Sequence, residues 1–256
     1  MMSKQEERFQ EVYTAQKGAV RVKKGDSLAY QEASARGDMY RFLSAVFLSP
    51  PKKDFLEQIA DKDFLEELSM LFDRNVVAGL IKFAAVSNLN KDLASLKQEY
   101  MDLFAVPTGR YVTPFEDVYL GITVDGQQER GPLLGERAIA VARIYREAGA
   151  IMDRACKELP THIGVELSFM SLLCEREALA VRNEEGEALL RGKTKATDST
   201  QYRELQMRFL QEHLNKWFPQ LNQSIQANAK SEIYSSLALI TEEFLTQETT
   251  RLKELQ

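Results

Sequence analysis

The stretch EYMDLFAVPTGRYVTPFEDVY, from Glu99 to Tyr119, holds the change of pattern that decides how this chain is organised. Tyr100, Leu103 and Phe104 recur at three- and four-residue steps, the spacing that places apolar side chains on one face of a helix. Proline then interrupts the periodicity, because it cannot donate the backbone hydrogen bond that a helix interior needs. The stretch, called the first cluster below, predicts a helix that ends in a proline-framed loop rich in aromatic and acidic side chains.

Helical spacing also dominates the rest of the chain, and convincing strand patterns are missing. Toward the amino terminus a helix is predicted from about Ser27 to Leu48, where Pro50-Pro51 ends it. Toward the carboxyl terminus, the predicted helices run from Pro132 to about Gly149, from Thr161 onward, from Gln201 to a stop at Pro219, and from Ile233 to Leu245. The predicted fold class is all-α, a single helical domain of about ten helices or two helical halves joined by a hinge loop.

The predicted domain boundaries follow from charge and periodicity. Residues 1–30 have mixed charges and are interpreted as an amino-terminal extension, partly ordered as a helix, and residues 31–250 form the helical domain. The glycine-containing stretch 121–131 lies in a region without helical periodicity and is the candidate hinge. A flexible hinge permits domain swapping, so a monomer is the expected state and a domain-swapped dimer is the alternative.

The composition of the chain excludes several functional classes. Its 256 residues carry 33 basic and 38 acidic side chains, a net charge of -5, which argues against a broad nucleic-acid-binding surface. Two histidines and two cysteines are too few for a metal cage or a disulfide framework, and the apolar runs are too short to span a membrane. We expect a cytoplasmic protein with no cofactor, no metal site, no nucleic-acid partner and no direct insertion into a membrane.

The second cluster, ELPTHIGVELSFMSLL, runs from Glu158 to Leu173. Pro160 breaks one segment, and the hydroxyl of Thr161 is expected to cap the helix that follows. His162 would then lie in the first turn, where the helix dipole disfavours an imidazolium and keeps the ring neutral. Glu166, one turn later, is either buried and paired or exposed.

Each cluster has a structural and a functional interpretation on the residues alone. In the structural interpretation, the aromatic side chains fill the core and His162 ties a loop to a helix. In the functional interpretation, residues such as Phe115 and Glu116 form a groove, with apolar side chains for a peptide's hydrophobic stretch and carboxylates for its positive end. A third hypothesis is an enzyme that uses His162 with Glu158 or Glu166 as an acid–base pair.

Several motifs resemble one known family, in the family's order along the chain. The run E-Y-x-x-L-F-x-x-P-x-G, then P-[FY]-E-x-V-Y, and later E-x-P-x-H-x-x-x-E-L-x-F-M are similar to the signature of the TorD/DmsD/NarJ family of redox-enzyme maturation chaperones. Lesser matches at Tyr40–Pro51, Leu133–Gly149 and Phe209–Leu221 extend the resemblance over residues 35 to 245. One departure is Thr161, which stands where the TorD and DmsD branches usually carry an aspartate before the histidine.

The resemblance implies a cytoplasmic, all-helical, non-enzymatic chaperone of molybdopterin-containing oxidoreductases. Family members bind the amino-terminal leader of the catalytic subunit, in most branches a twin-arginine signal that is held back from export until folding and cofactor insertion are complete. The NarJ branch instead assists an enzyme that is not exported, and a structural helical adaptor is the remaining alternative.

The predicted peptide-binding site combines residues of both clusters. Within it, Glu116, with Asp117 or Glu158, is expected to meet the leader's arginines, and the aromatic side chains are expected to contact its apolar stretch. The site comprises Tyr100, Leu103, Phe104, Pro114, Phe115, Glu116, Tyr119, Glu158, Pro160, Thr161, His162 and Glu166.

Overall fold

The fold consists of α-helices and one short hairpin, in a computed structural model that describes residues 27–86, 89–107, 109–124, 127–129, 131–152, 156–190 and 198–255. Over these residues the helices are α1 (Leu28–Leu48), α2 (Lys53–Ala60), α3 (Lys62–Leu71), α4 (Arg74–Val86), α5 (Leu89–Tyr100), α6 (Glu116–Leu120), α7 (Glu136–Glu147), α8 (Ile163–Leu190), α9 (Ser199–Phe209), α10 (Asn215–Asn228) and α11 (Glu232–Glu254). A π-helical turn, Met101–Ala105, extends α5, and another, Leu210–Leu214, joins α9 to α10. Because that join makes α9 and α10 one continuous rod, the described residues form ten rods, which confirms the all-α prediction.

The first helix has the boundaries that the sequence predicts. The side chain of Ser27 accepts a hydrogen bond from the backbone N–H of Tyr30, which caps α1 at its start. The helix ends at Leu48, directly before the two prolines. Residues 1–26 of the predicted extension lie outside the described residues.

The region before α7 contains a hairpin that the sequence interpretation did not include. Strands β1 (Ile122–Val124) and β2 (Gln127–Glu129) pair antiparallel, with Ile122 opposite Glu129. The chain did carry a signal for it, since Asp-Gly between two short runs favours a tight hairpin turn. The hairpin lies within 121–131, and the function of that stretch as a hinge stays a prediction.

Three predicted helix boundaries were wrong, and one of them is the end of α11, which runs to Glu254 rather than Leu245. Helix α7 begins at Glu136 rather than Pro132, because Leu134 has a left-handed φ of 65° and Gly135 caps the helix with an extended backbone. Pro219 does not end a helix but lies inside α10. An interior proline costs about 3 kcal/mol, whereas full burial of one large apolar side chain stabilises by about 1.5–3 kcal/mol. The helix therefore continues, since it buries Trp217, Phe218, Leu221 and Ile225.

One hydrophobic core joins residues from both sides of the 121–131 stretch, and α1 packs along α8 at its centre. Small residues bring these two helices close together. Ser171 donates its hydroxyl to the carbonyl oxygen of Gly37 at 2.8 Å, and Ser44 donates to the carbonyl oxygen of Gly164 at 2.6 Å. The close approach positions the start of α8, where the second cluster lies.

A buried network of charges also ties the long helices together. Arg36 of α1 donates to both carboxylate oxygens of Glu248 on α11, at 2.8 and 2.9 Å, and to Glu177 on α8 at 2.9 Å. Gln206 of α9 accepts from Arg36 and donates to Glu177 at 2.8 Å. Breaking a buried ion pair by removing one partner costs about 3–5 kcal/mol. The network therefore disfavours any shift of these helices that separates its members.

The substitution Gly164→Ala is expected to destabilise the fold by about 1–3 kcal/mol, the range for overpacking a filled core. An added Cβ would lie 2.5 Å from Leu48 Cγ and 3.1 Å from the carbonyl oxygen of Ser44. The matched control is Gly109→Ala, since no heavy atom lies within 4 Å of a Cβ at that position. Urea denaturation measures both variants, and equal unfolding midpoints would contradict the close α1–α8 contact.

Candidate functional site

The two clusters meet through their backbones at the start of α8. The N–H of Glu116 donates to the carbonyl oxygen of Thr161 at 3.0 Å, and the N–H of Ile163 donates to that of Pro114 at 2.9 Å. These bonds form a short antiparallel bridge that pairs Phe115 with His162. The rings of Phe115 and His162 are 5.2 Å apart in an edge-to-face arrangement. The structure thus brings together the halves of the site that the sequence predicts.

Glu116 lies entirely inside the protein. Its side chain is 0% exposed, and the Nδ1–H of His213 donates to both carboxylate oxygens at 3.0 Å. The guanidinium of Arg137 lies 4.0 Å from Oε1, and the Arg137 side chain is 41% exposed. Glu116 was expected to face an arginine of a bound leader, whereas the structure gives it internal partners and no surface.

Glu166 is the second buried carboxyl group, and it comes from the other cluster. Trp217 donates its indole N–H to Glu166 Oε2 at 3.0 Å. Burial raises the pKa of Glu166 well above its usual range, and the neighbouring Glu116 carboxylate raises it further. Glu166 is therefore held as the neutral acid. Its other oxygen, Oε1, is buried and hydrogen-bonds to no described group.

A third segment, Phe209–Leu221, supplies the partners of both carboxyl groups. His213 and Trp217 are four residues apart and therefore project from one side of a helical rod. His213 lies in the π-helical turn, a conformation that is rare and is frequently found at functional sites. The sequence indicated this segment only as a lesser match to the family, and the predicted site did not include His213 or Trp217. The signal was a histidine and a tryptophan at helical spacing on the face that also carries Leu210, Leu214 and Leu221.

The helix cap predicted for Thr161 is made by His162 instead. The backbone N–H of Gly164 donates to Nδ1 of His162 at 3.0 Å, which satisfies one of the free donors at the start of α8. Burial lowers the pKa of His162 to about 3, so the ring is neutral as predicted. The hydroxyl of Thr161 donates to the carboxylate of Asp117, and both side chains are buried.

The first cluster's helical side chains belong to the core. Leu103 is completely buried, and Phe104 packs edge to face with Phe47 and Tyr234. Tyr100 donates its hydroxyl to the carbonyl oxygen of Phe47 at 2.8 Å. These contacts give the aromatic side chains of α5 and its π-helical turn the structural role left open by the sequence.

Predicted site residues at the surface are fewer. Phe115, Tyr119, Glu158 and Pro160 are partly exposed. Tyr119 stacks on Trp217 with ring centroids 5.6 Å apart, and the carbonyl oxygen of Pro160 accepts a hydrogen bond from Tyr145 at 2.8 Å. The surface of the site is thus formed by side chains that rest directly on the buried polar groups.

Comparison with known protein families assigns the chain to one of them. Residues 72–223, more than half of its 256 residues, match the family described as nitrate reductase delta subunit. The chain belongs to that family. The match covers the first cluster, the second cluster and the third segment, which are the parts of the chain that build the site.

Members of the nitrate reductase delta subunit family are redox-enzyme maturation chaperones, which assist the assembly of molybdoenzymes. The match confirms this level of the predicted resemblance. It does not single out the TorD and DmsD branches, whose specificity the sequence analysis also considered.

The geometry of this delta-subunit family member does not favour the acid–base hypothesis. His162 is 3% exposed and Glu166 is 0% exposed, so a substrate has no access to either group. Among the described residues, no three His, Cys, Asp or Glu side chains are grouped to hold a metal ion. No helix in that part of the chain is both long and apolar enough to cross a membrane.

Replacing Glu166 with glutamine is expected to stabilise the protein at neutral and alkaline pH. The folded-state pKa of Glu166 is raised, so its favourable contribution is complete below the unfolded-state value and is lost as pH rises toward the folded-state value. The loss is about 1.4 kcal/mol per pH unit in that window. Glutamine keeps an acceptor for Trp217 and never ionises.

Urea denaturation measures this effect between about pH 5 and 8, where most proteins are most stable. The free energy of unfolding of Glu166→Gln should fall less with pH than that of the unaltered protein. Glu166→Ala, which leaves the indole N–H of Trp217 without its acceptor, should be less stable at each pH. The same pH slope in the unaltered protein and the glutamine variant would contradict a neutral Glu166.

The substitution His162→Asn is expected to improve stability in mild acid. The folded-state pKa of His162 is lowered to about 3, so its contribution is complete above the ordinary value of 6.5 and is lost as pH falls. Asparagine retains an oxygen that can cap Gly164 and does not titrate. Between pH 6.5 and 5, the unaltered protein should lose roughly 1.4 kcal/mol of unfolding free energy per pH unit relative to the asparagine variant, and a constant difference between the two would refute the assignment.

Proposed function

We propose that this protein is a system-specific chaperone that binds the amino-terminal leader of a molybdopterin-containing oxidoreductase subunit. It acts in the cytoplasm as a monomer, by binding without chemistry, and supports folding and cofactor insertion. Where the leader carries a twin-arginine signal, release would time the export of the folded enzyme. The observation that carries the proposal is the delta-subunit family match over the three segments that build the site.

The binding surface follows from how the predicted residues divide by exposure. Eight of the twelve predicted residues are buried and would support the binding surface from the protein interior. They are Tyr100, Leu103, Phe104, Pro114, Glu116, Thr161, His162 and Glu166. The partly exposed Phe115, Tyr119, Glu158 and Pro160 would contact the leader. Met101 and Val106, 36% and 40% exposed, add apolar surface on the first cluster. An apolar stretch of the leader would pack on the aromatic and apolar side chains, as in other peptide-binding grooves.

A second candidate is a NarJ-like assembly chaperone for a molybdoenzyme that is not exported. The description of the matched family favours it, since the family is that of a nitrate reductase subunit. The two candidates share the binding surface and differ in the client's leader. The two candidates differ in how strongly leader binding should depend on a pair of arginines. Only an exported client needs that pair, because the pair is its export signal.

Co-purification from the native host is the first test, with mass spectrometry to identify the bound protein. A molybdopterin oxidoreductase catalytic subunit should be recovered with the tagged chain. Co-expression of that subunit with and without its amino-terminal leader then tests the site of binding. Complex formation should be lost without the leader, and equal recovery of the leaderless subunit would refute leader binding.

A further inference from the structure

The carboxylates of the two clusters are nearly all engaged inside the protein. The clusters contain six: Glu99, Asp102, Glu116, Asp117, Glu158 and Glu166. Glu116, Asp117 and Glu166 are buried and paired as described above. Glu99 accepts a hydrogen bond from the backbone N–H of Ser231 at 2.8 Å, and Asp102 forms an ion pair with Arg110. Glu158 is the remaining carboxylate that is open to solvent and to a ligand.

Glu158 lacks a hydrogen-bonded partner among the described residues. Its side chain is 38% exposed, and among the described residues the basic nitrogen within 4 Å of its carboxylate is Nε2 of His162, 3.9 Å away. That distance is too long for a hydrogen bond. Nδ1 of the neutral His162 accepts a backbone N–H, so Nε2 carries the ring's proton and no full positive charge faces Glu158. Burial raises the pKa of Glu158, and no basic group among the described residues offsets that rise.

Aromatic residues lie in the same part of the site as this carboxylate. Its charge raises the pKa of both the Tyr100 and the Tyr111 hydroxyls, after burial as the larger cause, so both phenols lie near it. Phe115 is partly exposed and packs against the ring of His162. A carboxylate beside aromatic faces suits a guanidinium, which accepts bidentate pairing and stacks on rings, better than a strongly hydrated ammonium.

We infer that Glu158, with Tyr111 and Phe115, forms a seat for one arginine side chain of the bound leader. The inference rests on the proposed function and narrows it. Because the other carboxylates of the two clusters are engaged, these clusters offer one place for a guanidinium. A leader with a pair of arginines would have one of them bound here, and a leader with a single arginine would fit equally well.

The test is a titration of the full chain with synthetic peptides that carry the leader sequence of the co-purified subunit. Isothermal titration calorimetry measures the affinity. The variant Glu158→Gln keeps the side-chain shape and removes the charge. The control is Glu67→Gln, which removes the same charge from an exposed position on α3. Thermal unfolding checks that both variants fold as the unaltered protein does.

Glu158→Gln should weaken binding of the natural leader by about tenfold or more, and Glu67→Gln should leave it unchanged. With each leader arginine changed in turn to glutamine, one change should weaken binding as much as Glu158→Gln, and the other should have little effect. In the Glu158→Gln variant, that first change should cost nothing more. Equal and independent losses from both arginines would overturn the single seat.

Tyr111 provides a second measurement. Tyr111→Phe keeps the ring face and should bind the leader as the unaltered chain does, whereas Tyr111→Leu should bind more weakly. Undiminished binding by both Glu158→Gln and Tyr111→Leu would overturn this inference and leave the proposed function intact. Absence of leader binding by the unaltered chain would overturn both.

Discussion

Two carboxyl groups cannot be buried side by side as free anions, and this constraint organises the centre of the protein. Glu116 and Glu166 come from segments far apart in sequence, and both are cut off from water. One is satisfied by the imidazole of His213, and the other holds its proton and accepts the indole N–H of Trp217. His213 is required because an unpaired buried charge costs about 3–5 kcal/mol, a large part of the stability of a domain. Trp217 is required because a buried polar group without its hydrogen bond costs about 1–3 kcal/mol. The arrangement therefore forces α6, α8 and the α9–α10 rod into one relative position.

The sequence allowed the helical architecture and the start of the site to be predicted, because both depend on local patterns. Apolar spacing located α1 and the end of α5, and the two prolines that follow Leu48 marked the end of α1. The prediction that Pro219 ends a helix was wrong. The helix-breaking effect of proline is local, whereas the burial that outweighs it depends on distant parts of the chain. Sequence also grouped Glu116 with a binding surface, because acidity alone does not reveal which carboxylates find internal partners. The pairing with His213 spans 97 residues, and no local pattern encodes it.

A division of labour between buried and exposed groups follows for a chaperone of this family. The buried polar groups hold the backbone bridge between Phe115 and His162 rigid, and the side chains above them remain available to a peptide. Rigid presentation lowers the entropy lost on binding. The network of Arg36, Glu177 and Glu248 secures α8 about three turns further along in a similar way. A surface assembled on such supports can discriminate between leaders by charge and shape without a deep cavity.

The π-helical turn at Leu210–Leu214 has an evolutionary consequence. Such a turn holds one residue more than an α-helical turn, so it corresponds to a single-residue insertion that rotates everything beyond it by about 100°. The α9 half of the rod keeps Phe209 and Gln206 directed at the core, while the insertion directs Trp217 to Glu166. In a relative with a continuous α-helix here, the residue one position earlier would take the place of Trp217, so the two sequences would align with a one-residue gap. A gap at this position would thus mark members that can direct the aligned tryptophan to the acid without a π-helical turn.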